Sequence, residues 1–307
     1  MPVYERPDLL NLALDQIGHT NYKGEIEVIV IDDSKMAMDK SRLSSYLSPK
    51  KHTLMYHHLN DRRYTVGAKR NIACNEANGD IIVMMDDDDI YHPDRIDYQV
   101  KPILNGDADM SVLRQDIWLQ FYGDGHPSKF YKAVPKMAQS VHYGTLAFRK
   151  DLWNPVMGII YTDASLLDEV DFYNKVKDMP SMRIMELPNN GMHVYVRHPQ
   201  NINRPGTDLA KDRRFMPTGQ PNTLPNDHVM KLEAIVARMH GMKTRNLQEP
   251  LPTCGPCLEV DGSCVTTDKC HDMYGGRNWP MCIDPPLDSS CTSCERSLDK
   301  ICEERCV

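Results

Sequence analysis

The sequence predicts an α/β domain, a mostly parallel sheet with helices on both faces, followed by a small cysteine-rich C-terminal module. Three observations predict it. Short apolar, β-branched runs alternate with stretches of helical periodicity. Two of those runs, Val28–Ile31 and Ile81–Met85, lack the polar alternation of a half-exposed strand, as strands covered on both faces do. Nine of the ten cysteines fall between Cys254 and Cys306.

Taken in order, Asp8 to Ile17 reads as an amphipathic helix with Pro7 ahead of it and Gly18 at its end. Glu25 to Ile31 is a buried strand, and His52 to His58 a weaker one. Gly67 to Asn78 is a helix closed by Gly79, Asp80 to Met85 a second buried strand, and Pro93 to Leu104 a further helix. Pro217 to Pro225 carries the Pro, Gly, Asn and Thr of a linker. Val229, Met230, Leu232, Ile235, Val236 and Met239 then recur at helical spacing. The expected organisation is a main domain at 1–216, a linker and connecting helix at 217–253, and a cysteine-rich tail at 254–307.

Composition narrows the function. Hydrophobic residues make up 41% and charged residues 26% of 307, a globular balance that excludes collagen, coiled coil and wholesale disorder. The net charge of −7 offers no excess of cations for phosphates, so nucleic acid is not an expected partner. No apolar run is long enough for a transmembrane segment. The first residues have no apolar signal region and the chain has no Asn-x-Ser/Thr sequon, which favours a cytoplasmic location.

Both buried strands run into carboxylates, Asp32–Asp33 after the first and Asp86–Asp87–Asp88–Asp89 after the second. In open α/β sheets, ligands bind at these carboxyl ends. Four adjacent acids repel one another and call for a cation beside them. Strand alternation would put Asp86 and Asp88 on one face and Asp87 on the other. Two carboxylates on one face suit Mg²⁺ or Mn²⁺ shared with a substrate phosphate. An acidic turn capping the next helix is the plainer reading of such a run.

Four segments together resemble a glycosyltransferase of family 2, with its GT-A (Rossmann-like) fold. They are Pro2-Val3-Tyr4-Glu5-Arg6-Pro7, Val30-Ile31-Asp32-Asp33-Ser34, Gly67-Ala68-Lys69-Arg70-Asn71 with Asn78-Gly79-Asp80 after it, and Met85-Asp86-Asp87-Asp88-Asp89. The resemblance covers roughly the first 100 residues and is absent from the tail. It places the family's first apolar strand before Pro2, where this sequence starts. It implies metal-dependent transfer of a sugar, with inversion, from a nucleoside diphosphate sugar (UDP-sugar as the expected donor) to a hydroxyl of a glycan, lipid or protein. Asp32 or Asp33 would then accept from the donor's base, with Tyr4 and Arg6 alongside. Lys69 and Arg70 would face the pyrophosphate or base. Asp86 and Asp87 would lie on the donor side, and Asp88, with Asp86 and His198, would hold Mn²⁺ or Mg²⁺. Leu166-Leu167-Asp168-Glu169 resembles the family's acidic pair at a helix start, which implies Glu169, or else Asp168, as the catalytic base. The helix dipole alone also favours acids in a first turn. His142 to Arg149 resembles the acceptor-side strand, with Trp118, Tyr143 and Trp153 as candidate sugar-stacking aromatics or core residues.

Other readings stay open. Asp86-Asp87-Asp88 after an apolar strand also fits a haloacid-dehalogenase-like phosphatase, although Ile90 stands where that chemistry wants a small Thr or Val. A non-catalytic relative that binds a glycan or partner is the other alternative. In the tail, Cys254-x-x-Cys257, Cys291-x-x-Cys294 and His271 suggest Zn²⁺, while cysteine density suggests disulfides.

Overall fold

A computed structural model of the chain describes residues 1–122, 128–198, 201, 208–221 and 224–239. The expected tail at 254–307, with its zinc or disulfide chemistry, lies outside the described residues. In chain order the first half contains β1 (Pro2–Val3), α1 (Pro7–Gly18), β2 (Ile26–Asp32), α2 (Lys40–Ser44), β3 (His52–His58), α3 (Val66–Glu76), β4 (Ile81–Val83), β5 (Ile90–Tyr91) and α4 (Arg95–Leu104). The second contains β6 (Met110–Leu113), β7 (Ile117–Gln120), β8 (Lys129–Ala133), β9 (Ala147–Arg149), α5 (Asp168–Lys177), β10 (Ile184–Leu187), β11 (His193–Arg197), β12 (Phe215–Thr218) and α6 (Asn226–Met239). Among the described residues no helix is long and apolar enough to cross a membrane.

The period of two along β2 explains its unbroken apolar run. Val28 and Val30 pack on Leu10 and Leu14 of α1, while Ile29 and Ile31 pack on the opposite side with Ile72, Ala73 and Ala77. Both faces are covered, so neither needs polar side chains. β1 and β3 flank β2, both parallel to it. Short as it is, β1 pairs in register, Pro2 with Ile31 and Val3 with Asp32. That register brings Tyr4 and Arg6 to the carboxyl end of β2.

The rest of the sheet structure is mixed, which corrects the expectation of a mostly parallel sheet. β9 runs antiparallel to β4 and β6, while β10 is parallel to β6. β7 is parallel to β11 and antiparallel to β8. A parallel partner needs a crossover of a dozen or more residues. Only residues 121–128 separate β7 from β8, so that pair turns back on itself.

Strand β4 ends earlier than its apolar run. At Met84 the backbone leaves the ladder: its N–H donates to Leu146 O at 2.8 Å, and its carbonyl accepts from Arg95 Nη2 at 2.8 Å. The four aspartates therefore lie beyond regular strand, where alternation no longer applies. α6 packs Val229, Leu232, Ile235 and Val236 into one cluster with Leu9 and Leu12 of α1. It belongs to the compact unit Met1–Lys243.

Candidate active site

The two acids after β2 are saturated by the chain itself. Asp32 is fully buried, accepting from Ser34 N at 2.9 Å and from the Tyr56 hydroxyl at 2.8 Å. Asp33 accepts from Lys69 Nζ at 2.7 Å, from Tyr64 N at 2.7 Å and from Arg63. Burial alone would raise the Asp33 pKa, but the bonds from Lys69 and Tyr64 outweigh it and hold it low. Lys69 spends its remaining reach on Val3 O at 2.8 Å, so its ammonium is buried. Arg63 is the exposed member, with its guanidinium 3.3 Å from the centroid of the Tyr4 ring. A ligand stacking on that face of Tyr4 would have to displace the Arg63 guanidinium.

The quartet after β4 is compensated residue by residue. Asp86 faces Arg70, with Oδ1 3.1 Å from Nη2. Arg6 Nη1 bridges Asp87 Oδ1 at 3.3 Å and Asp88 Oδ2 at 2.8 Å. The same Asp88 oxygen lies 3.1 Å from His198 Nε2 and 3.2 Å from Asn201 Nδ2. Asp89 is buried against His193 Nε2 at 2.8 Å and accepts from Val196 N at 2.8 Å. Burial drives Asp89 upward and His193 downward, pushing both toward their uncharged forms. The faces expected from strand alternation are thus regrouped: Asp87 joins Asp88 at Arg6, and Asp86 turns away to Arg70. The cation the run calls for is supplied in large part by Arg6 and Arg70.

Some negative character is left over. Burial pushes Asp87 up to about 7 against the pull of Arg6, and Asp88 and Asp86 add to the rise. Its Oδ2 is buried with no hydrogen-bond partner among the described residues. Burial would also raise Asp88, but His198 and Arg6 outweigh it and hold that carboxylate ionised. A carboxylate touching an imidazole, beside an orphaned carboxylate oxygen, fits the ligand chemistry of Mn²⁺ or Mg²⁺. The fit is at Asp88 and His198 rather than at Asp86.

α5 brings the second acidic group to the same place. Arg70 Nη1 lies 2.6 Å from Asp168 Oδ2 and 3.0 Å from Glu169 Oε1. One buried guanidinium thereby joins the acid of the β4 end, 16 residues from Arg70, to the acidic pair, whose Asp168 is 98 residues from it. Asp168 is almost wholly buried, and burial raises it to about 7. Glu169 is the more exposed of the two, at 22% of its side chain. Burial would raise Glu169 as well, but the Arg70 charge outweighs it and keeps it ionised.

The approach of α5 depends on Gly67. An ideal Cβ there would collide with Thr162 O and come within 3.1 Å of Ala164 O, and the Gly67 N–H already donates to Ala164 O at 2.9 Å. Both carbonyls are backbone and cannot swing aside. Gly67→Ala is expected to cost about 1–3 kcal/mol of stability by overpacking. It should also pull the 162–167 segment, and with it Glu169, out of place, lowering melting temperature and activity together.

Several residues of the site escaped sequence reasoning. Arg63, Tyr56 and Asn201 are polar residues without a motif around them. Arg95, fully buried, donates to Met84 O and to Gln99 Oε1 at 2.8 Å and fixes where the quartet starts. Residue 144 keeps a space open because it has no side chain: a Cβ there would lie 3.3 Å from Asp86 Oδ2 and 3.4 Å from His142 Nδ1. Tyr143 and Trp153, candidate sugar-stacking aromatics, pack against the cluster around Phe148 and Phe172, and Trp118 packs on Phe215.

His142 has a consequence for stability. Burial lowers its pKa from 6.5 to about 4. The unfolded chain protonates near the upper value and the folded chain only near the lower, so acidification through that window favours unfolding. The loss is at most about 1.4 kcal/mol per pH unit. Between pH 7 and pH 5 the urea midpoint should fall less in His142→Gln than in the wild type. Equal falls would refute this.

The chain is similar to known proteins in its family pattern and in its fold. The family model described as Glycosyl transferase family 2 matches residues 1–168, more than half of the chain. No curated protein matches in sequence. Among solved structures, Staphylococcus aureus TarS 1-349 is similar at 19% identity and a TM-score of 0.48, over 64% of this chain and 58% of that one. The chain thus spans less than two thirds of that relative's length. TarS 1-349 in complex with UDP-GlcNAc is similar at 17% identity and a TM-score of 0.46, over 80% and 67% of the two chains. The mannosyltransferase PcManGT from Pyrobaculum calidifontis, in complex with GDP-Man and Mn²⁺, is similar at 18% identity and a TM-score of 0.48, over 66% and 56%. The strand ends, the Gly67–Asn71 helix and the acidic pair of α5 meet within the matched region or at its border, and the chain belongs to glycosyl transferase family 2.

Proposed function

We propose that the protein transfers a sugar, with inversion, from a nucleoside diphosphate sugar to an acceptor hydroxyl. The observation that carries this reading is the shared Arg70: it holds Asp86, at the β4 end where a donor would lie, and Glu169, a carboxylate kept ionised, within about one hydrogen bond of a single guanidinium. In this reading the donor's base stacks on Tyr4 after displacing Arg63, and its diphosphate lies along Asp86–Asp88. Asp88 and His198 would hold a divalent ion, which supplies Lewis-acid neutralisation of the charge growing on the leaving diphosphate. Glu169 accepts the acceptor hydroxyl's proton at its carboxylate, from about 3 Å. The hydroxyl oxygen bonds to the anomeric carbon as the diphosphate leaves from the opposite face. Asp168, buried beneath, positions Arg70 and takes no proton from substrate.

The test is Mn²⁺-dependent release of nucleoside diphosphate across a set of nucleotide sugars, comparing the wild type with Asp88→Asn. Loss of a ligand should cost at least the roughly 10–100-fold typical of outer-shell partners. Full metal-dependent activity in Asp88→Asn would reject the site, and donor binding without any turnover would reject the enzyme reading.

A further inference from the structure

Away from the carboxylates of the β-strand ends, the C-terminal turn of α1 meets the first turn of α6 in a second cluster. Asp15 and His19 stand four residues apart on one side of α1 and its cap, and His228 comes from α6. One ligand atom from each of the three lies within 4.8 Å of the others, the sole such trio among the described residues. His228 is 3% exposed and its Nε2 lies 3.7 Å from Asp15 Oδ2, while its Nδ1 is buried with no hydrogen-bond partner among the described residues. His19 Nδ1 lies 3.4 Å from Asp15 Oδ1 and 2.7 Å from Asp15 O, and the two imidazoles meet edge to face at 5.9 Å. Lys231 Nζ reaches Asp15 Oδ2 at 2.7 Å, and Asp227 stands 3.8 Å from His228 Nε2.

A buried imidazole facing a carboxylate without a true hydrogen bond, backed by an orphaned ring nitrogen, is costly in a polar network that serves packing alone. A cation drawn between the three groups would give the buried imidazole a ligand in place of a non-bonded contact and remove part of that cost. Two imidazole nitrogens and a carboxylate oxygen suit the four-coordinate, borderline Zn²⁺ class, with water in the remaining position, better than the all-oxygen preference of Mg²⁺. Lys231, half exposed on a flexible stem, is the stand-in cation that would swing out to solvent. We propose that Asp15, His19 and His228 form a second metal site for a divalent ion of the Zn²⁺ class, fastening α6 to α1. This site is separate from the ion of the transfer reaction and does not depend on that reading. Ligands drawn from two elements make the ion a cross-link. Its effect reaches α1, whose first turn adjoins Arg6 and whose Gln16 holds Asp89 O at 3.1 Å and Tyr91 N at 2.8 Å.

The test is a zinc titration of the full chain against a chromophoric chelator, counting equivalents in the wild type, His19→Gln and His228→Gln. The tail cysteines can take zinc too, so the readout is the difference between variants. Co²⁺ spectra separate the sites, because only cysteine ligation gives thiolate charge-transfer bands. Both variants should bind one equivalent fewer, or bind it at least tenfold more weakly, with charge-transfer bands unchanged. Zinc should raise the melting temperature of the wild type more than that of either variant. His19 is exposed, so His19→Gln keeps the fold even if His228→Gln does not. Equal equivalents and affinity in the wild type and His19→Gln would overturn the site, as would an equivalent lost together with charge-transfer intensity.

Discussion

Arg70→Met is expected to lower the unfolding free energy by about 3–5 kcal/mol, the cost of leaving buried acids without their counter-ion. Three carboxylates, those of Asp86, Asp168 and Glu169, depend on this side chain, which is only 6% exposed. Without it one or more of the three must take up a proton or break out of the packing, so the loss should shrink as pH falls. Urea unfolding at neutral and mildly acidic pH measures both the size and this sign. Arg70→Lys should recover only part, since an ammonium cannot span three acids as a forked guanidinium does. A midpoint in Arg70→Met within experimental error of the wild type would show that the acids are not held by this residue.

Glu169→Gln carries the largest expected effect on rate, a fall of about 10²–10⁴ in kcat if this carboxylate removes the acceptor's proton. The amide is nearly isosteric and still able to accept from Arg70. Melting temperature and nucleotide affinity should therefore move little. Asp168→Asn separates the roles: it alters the anchor of Arg70, so activity and stability should fall together. If Glu169→Gln turns over at the wild-type rate while Asp168→Asn is inactive, the two assignments exchange.

Much of the scaffold was legible because it rests on local rules. The unbroken run of β2 announced a strand covered on both sides, and Val28 to Ile31 is sandwiched between α1 and α3. The acids that follow each buried run lie at the carboxyl ends of β2 and β4, as their place in the sequence requires. The way those acids are neutralised was not legible. Arg6 meets Asp87 and Asp88 across 81 and 82 residues, and Arg70 meets Asp168 across 98. Nothing in local pattern distinguishes these arginines from ones on a solvated helix face. Their burial beside the apolar positions of α3 and the β4 end is decided by tertiary packing. The same holds for the grouping of the quartet. Alternation was extrapolated through Met84 and Met85, but the ladder stops at Val83, where Arg95 claims the Met84 carbonyl. His198 was assigned to the metal side only through family resemblance, and its contact with Asp88, which spans 110 positions, carries no local signal. β8 was not anticipated, and β9, although it falls within the strand read at His142 to Arg149, was not read as antiparallel, because apolar runs this short carry no sign of direction.

A single guanidinium shared by Asp86 at the β4 end and Glu169 of α5 makes the ionisations of the two halves inseparable. An inflection in the pH–rate curve will belong to the trio of acids around Arg70 and not to one of them. Neutralising Asp86 alone should therefore shift the apparent acidity read out at Glu169, although the two carboxylates meet only through the cation between them.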